Sequence, residues 1–105
     1  MADLGQNLFA ALDKLDELLE KTPTGLDRDA LQKQYDQLWD QAQDLVDANV
    51  QNATVEYKAA ISVLADANQR IQAAIDGLAE VIDVINKVAE AITAIDTLLS
   101  KLGVV

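Results

Sequence analysis

The sequence contains no cysteine and no histidine, and these two absences remove most of the chemistry a small protein can perform. Without thiols there is no disulfide, no thiolate nucleophile, no iron–sulfur cluster and no cysteine zinc site. Without imidazole there is no ordinary serine or cysteine triad and no histidine metal ligand. Glycine is sparse as well. Gly5, Gly25, Gly77 and Gly103 stand alone, so neither common phosphate-cradling loop can be built. The expectation is a protein that is not an enzyme and holds no cofactor. Aromatic residues make up 4% of the chain, which leaves an aliphatic core. Long apolar runs are missing too: uncharged stretches such as residues 59–65 fall far short of the roughly 20 residues that span a bilayer.

Positive charge is the last scarcity. Eight Lys and Arg against eighteen Asp and Glu give a formal net charge of -10. Such a field repels phosphates and anionic lipid headgroups, and nucleic-acid binding depends on Lys and Arg clusters that release counterions. No nucleic-acid partner is expected and a membrane partner is disfavoured; a basic protein surface is the natural counterpart. Met1-Ala2-Asp3-Leu4-Gly5 lacks the basic region and apolar stretch of a secretory signal, so the expected protein is soluble and, by default, cytoplasmic.

What is present is apolar periodicity. With 105 residues, half of them apolar and distributed along the whole chain, one helical-bundle domain over 1–105 can bury a core without staples. Leu4, Leu8, Ala11, Leu12, Leu15, Leu18 and Leu19 recur at three- and four-residue spacing, which predicts a helix over about 3–21. Thr22-Pro23-Thr24-Gly25 ends it, because proline disfavours helical geometry in the residue before it. A second helix over about 26–49 takes Thr24 or Asp27 as its N-cap and buries Leu31, Tyr35, Leu38, Ala42, Leu45 and Asn49, with a turn at residues 50–54.

From 54 to 102 the apolar pattern follows alternating three- and four-residue steps through Ile61, Leu64, Asn68, Ile71, Ile75, Leu78, Ile82, Ile85, Ala89, Ile92 and Leu99, interrupted at Asp96. With Ile61 as position a of a heptad, a second line at g reads Ala74, Val81, Val88, Ile95 and Leu102. A third line at c, in the C-terminal half alone, reads Val84, Ala91 and Leu98. An arc this wide must touch at least two other helices. The heptad passes Gly77 without a jump, and neither Leu78 nor Ala79 is a capping type. The fold expected is therefore all-α: an antiparallel helical bundle or coiled-coil hairpin of three helices, with a long C-terminal helix of about 70 Å. The alternative is an up-down four-helix bundle broken at Gly77, with that glycine as a left-handed C-cap.

Two candidate sites follow. A continuous third helix outruns its neighbours, leaving Val81, Val84, Val88, Ile92, Ile95 and Leu98 as an interface for a second copy or a partner's helix. Asp36, Asp40, Asp44 and Asp47 form an acidic docking stripe on the second helix. A solvated face explains the same spacing, and a calcium site wants 6–8 oxygens around a loop, so no metal is assigned. Tyr35 and Trp39 lie a turn apart, and their spacing with Leu31 and Leu38 points to core filling rather than to an exposed anchor. Asn68, at an a position, is either a buried amide that sets register or a tolerated surface residue. The function expected is a non-enzymatic interaction or structural bundle that self-associates or clasps a partner helix, as adaptors, secretion chaperones and immunity proteins do. The alternative is a membrane-active or lipid-surface helical protein.

Overall fold

The computed structural model describes residues 4–48 and 55–103 and, apart from residues 46–48, their side chains. Within them the chain forms four helices and no strand: α1 Leu4–Lys21, α2 Leu26–Ala48, α3 Val55–Ile75 and α4 Val81–Lys101. The protein is an all-α bundle of the four-helix kind. Asn49 and the turn expected at 50–54 lie outside the described residues.

The long third helix is thus corrected to two helices, and the reason is local. Gly77 has φ +79, a left-handed conformation that costs a residue without Cβ little. Its N–H donates to the Ala74 carbonyl at 3.1 Å, and the Leu78 N–H donates to the Ala73 carbonyl at 2.7 Å. These are the two bonds of a Schellman motif, which satisfies the last carbonyls of α3 with backbone alone. Capping side chains at 78 and 79 are not needed. Helix α4 restarts at Glu80, whose carbonyl accepts from Asp83 at 3.1 Å and Val84 at 3.4 Å and whose side chain makes no cap bond. The molecule's longest extent is 38 Å, half of what a continuous helix requires.

At the other turn, the buried Thr22 donates its Oγ1–H to the Leu18 carbonyl at 2.7 Å and α1 stops before Pro23. The Asp29 N–H donates to the Gly25 carbonyl at 3.0 Å, so Gly25, rather than Thr24 or Asp27, holds the N-cap position of α2. Asp27 and Asp29 sit in the first turn of α2, where carboxylates favour the positive end of the helix dipole.

Helix α1 packs on α2 and α3, and α4 packs on the same two, while α1 and α4, like α2 and α3, stand on diagonals without contact. Side-chain bonds give the directions. Asn68 Nδ2 donates to the Asn7 carbonyl at 3.0 Å and Lys14 Nζ to Gln72 Oε1 at 2.7 Å, so α1 and α3 run parallel. Gln34 Nε2 donates to the Ile85 carbonyl at 2.8 Å and Gln41 Nε2 to the Ile92 carbonyl at 3.0 Å, so α2 and α4 do too. Two antiparallel hairpins therefore lie side by side, with the turns at 22–25 and 76–80 at one end. At the other end Lys101 meets Glu56 at 4.0 Å.

The core is aliphatic, and its heptad position changes at the turn. In α3 the buried residues are Ala60, Leu64, Ala67, Asn68 and Ile71, which are positions g, d and a. In α4 the fully buried line is Val84, Val88, Ala91, Ile95 and Leu98, positions c and g. Most of the old a and d line of α4 moves to the rim, where Ile82 is half exposed, Ile85 and Ile92 are partly buried and Ala89 is exposed, while its last member, Leu99 at d, stays buried.

Candidate interaction surfaces

The residues expected at an interface occupy the interior. Val84, Val88 and Ile95 are 0% exposed and Leu98 is 1% exposed, while Val81 and Ile92 are partly buried against the same core. Their need for a second chain came from a helix outrunning its neighbours. The Schellman turn at Gly77 folds these lines back under α2 and α3, so the chain supplies the cover itself.

The acidic stripe is on the surface. Asp36 and Asp40 are exposed and Asp44 is half-buried; Asp36 Oδ1 accepts from Gln32 Nε2 at 3.2 Å. The Asp47 side chain lies outside the described residues. Among the described residues no three carboxylates are placed to hold a metal ion. Lys33, three residues before Asp36 on the same helix, is exposed beside the stripe, and the two ion pairs of the described residues form elsewhere. Lys87 turns to Glu90 at 3.4 Å and Lys101 to Glu56, while Lys14 bonds an amide of α3.

Three amides are buried within the bundle: Gln34, Gln41 and Asn68. Each donates, Gln41 also to Asp96 Oδ1 at 2.8 Å, but Gln34 Oε1, Gln41 Oε1 and Asn68 Oδ1 find no donor among the described residues. Gln34 and Gln41 are one heptad apart and bond carbonyls one heptad apart, so they mark the α2–α4 seam. The sequence reading did not single out these glutamines. Their signal was a polar line of period seven beside the apolar line Leu31, Leu38 and Leu45.

Aromatic residues are where the surface departs from an ordinary solvated one. Tyr35 is half-buried against the core, but Trp39 is 45% exposed, and Phe9 of α1 is 46% exposed. The two rings meet across the α1–α2 seam with centroids 6.1 Å apart and planes at 79°, the edge-to-face geometry that aromatic quadrupoles favour. The core role expected for Trp39 is corrected by this contact. Phe9 had a weaker signal: of its neighbours on the helix face, Gly5, Gln6, Leu12, Asp13 and Asp16, only Leu12 is apolar, so it stands at the edge of the α1 stripe. Leu26 and Leu78, 87% and 82% exposed, add apolar surface near the two turns.

The described surface also has a depression open to solvent lined by Asp66, Gln69, Arg70, Ala73 and Lys87, and another lined by residues 22–27 with Val81. No helix among the described residues is long and apolar enough to cross a membrane. No known protein family, curated protein or solved structure matches the chain.

Proposed function

We propose that the protein is a non-enzymatic interaction bundle: a self-filled helical scaffold whose outer surface binds a protein partner carrying a basic helical face. One observation carries the reading. The apolar lines that looked like an interface fill the chain's own core, so binding falls to the outer surface, where carboxylates such as Asp36 and Asp40 are exposed and the net charge is -10. Opposite charge speeds encounter and selects partners. Self-association is the weaker form of the reading, because two copies of equal charge repel and their broadest apolar lines are already covered. The lipid-surface alternative meets the same obstacle: interfacial helices usually bear Lys and Arg on their polar face, whereas this surface bears mainly Asp and Glu.

Affinity purification from the native source at low ionic strength tests the proposal. The expected result is a co-eluting protein with a basic helical segment, released by raising salt to about 0.5 M, where charge attraction is screened within a few ångströms. Recovery of the protein alone, or only with membranes, contradicts it.

A further inference from the structure

We infer that the Phe9–Trp39 pair is the anchor point of that partner surface, and that its occupant is an amphipathic helix placing an apolar side chain on the pair and Lys or Arg toward the turn at 22–25. This rests on the function proposed above and names the site and the chemistry of the partner. The chain has four aromatic residues, one Phe, one Trp and two Tyr, and two of the four are held together at the surface, each nearly half exposed. Large rings with few rotatable bonds make contact area at low entropic cost, which is why binding hot spots are rich in them. These two come from different helices and fix each other edge-to-face, so the anchor is already formed before a partner arrives.

Exposed carboxylates flank the pair on the side toward the turn at 22–25, and the exposed Asp40 adjoins Trp39 itself. Helical spacing puts Asp13 and Asp16, four and seven residues after Phe9, on the same face of α1. Asp36, three residues before Trp39, lies on the matching face of α2. Because α1 and α2 are antiparallel, later residues of α1 and earlier residues of α2 both lie toward the turn at 22–25. All three carboxylates are exposed, and none is in an ion pair among the described residues. On the opposite side Trp39 is followed by the neutral Gln43 four residues on. A seam between two antiparallel helices receives a third helix more readily than an extended strand, which needs a free sheet edge. The occupant is therefore apolar at the rings and cationic one and two turns away.

Trp39 is the sole tryptophan, so its fluorescence reports on the site directly. The probe is a synthetic amphipathic peptide with a Leu face and a Lys face, titrated into the full chain at low ionic strength. Calorimetry supplies an affinity independent of the fluorophore, and a Lys-rich peptide of equal charge without an apolar face serves as control. The expected result is a blue-shifted, saturable Trp39 emission, at least tenfold weaker binding of the control, and roughly tenfold losses in Phe9→Ala and in Asp36→Asn. Both residues are exposed enough for these variants to keep the helical circular dichroism of the parent. Calorimetric binding with unchanged Trp39 emission and no effect of Phe9→Ala overturns the anchor while leaving a basic partner in place. No binding of either peptide removes both proposals. A dimer of the protein that Phe9→Ala dissociates makes the occupant a second copy and overturns the basic helix.

Discussion

At the scale of single residues, the buried amides set the two parallel seams apart from the antiparallel ones. Asn68 lies between α1 and α3, and Gln34 and Gln41 lie between α2 and α4. A buried amide that donates but does not accept loses the hydration of its oxygen, at a cost of about 1–3 kcal/mol. The carbonyl of Ile85 is inside α4 and keeps its own helical partner when Gln34 is removed. Gln34→Met, close in volume, is therefore expected to leave stability unchanged or to raise it by up to about 2 kcal/mol, as read by urea unfolding. A loss of more than about 1 kcal/mol would show that the amide is a net stabiliser. Such amides suit a role in fixing which helices pair and in what register. Asn68 was readable, because an amide interrupts an aliphatic a/d line there. The glutamines were not, because a polar residue beside a helix's apolar stripe is ordinary until the neighbouring helix is known. Phe9 was legible only as an apolar residue with acidic neighbours, which reads equally as noise.

At the scale of elements, the turn at 76–80 decides the architecture. Unbroken heptad phase argued for continuity, but the pattern held a second message. The c line of Val84, Ala91 and Leu98 begins only after Gly77, and the buried face of α4 is built on c and g, joined near its end by Leu99 at d, where that of α3 is built on a, d and g. A wide apolar arc allowed both readings, since it contains the faces of both helices. The absence of capping side chains at 78 and 79 favoured continuity, but the alternative holds: Gly77, the left-handed C-cap of the four-helix version, closes α3 through the backbone. Gly77→Ala meets no steric neighbour, so its cost is that of the left-handed backbone, about 1–2 kcal/mol. In a domain of this size that is a fall in melting temperature of at least about 4 °C. An unchanged melting temperature would show that the turn does not depend on positive φ. On α2, Asp36, Asp40 and Asp44 project from a straight helix without converging. Millimolar calcium or magnesium is expected to shift the melting temperature no more than an equal ionic strength of sodium chloride does. A specific rise of several degrees, abolished by Asp40→Asn, would establish a cation site.

At the scale of the whole molecule, the fold rests on where the broad apolar arc of the C-terminal half finds its cover. In an all-α protein of 105 residues and charge -10, the class of fold and most buried positions followed from periodicity. Val84, Val88, Ile95 and Leu98 of that arc fill the chain's own core, because the path of the chain into α4 depends on one backbone angle, at Gly77. If the chain covers the arc itself, Val88 and Ile95 are interior residues of a folded monomer. Two buried, unpaired carboxylates there, at about 3–5 kcal/mol each, are comparable to the roughly 5–15 kcal/mol that holds a small domain together. The decisive measurement is circular dichroism and light scattering of Val88→Asp combined with Ile95→Asp. The account predicts that this variant loses most of its helical signal at concentrations where the parent is folded. A variant that stays helical while a parent dimer falls apart into monomers would return those residues to an interface between chains.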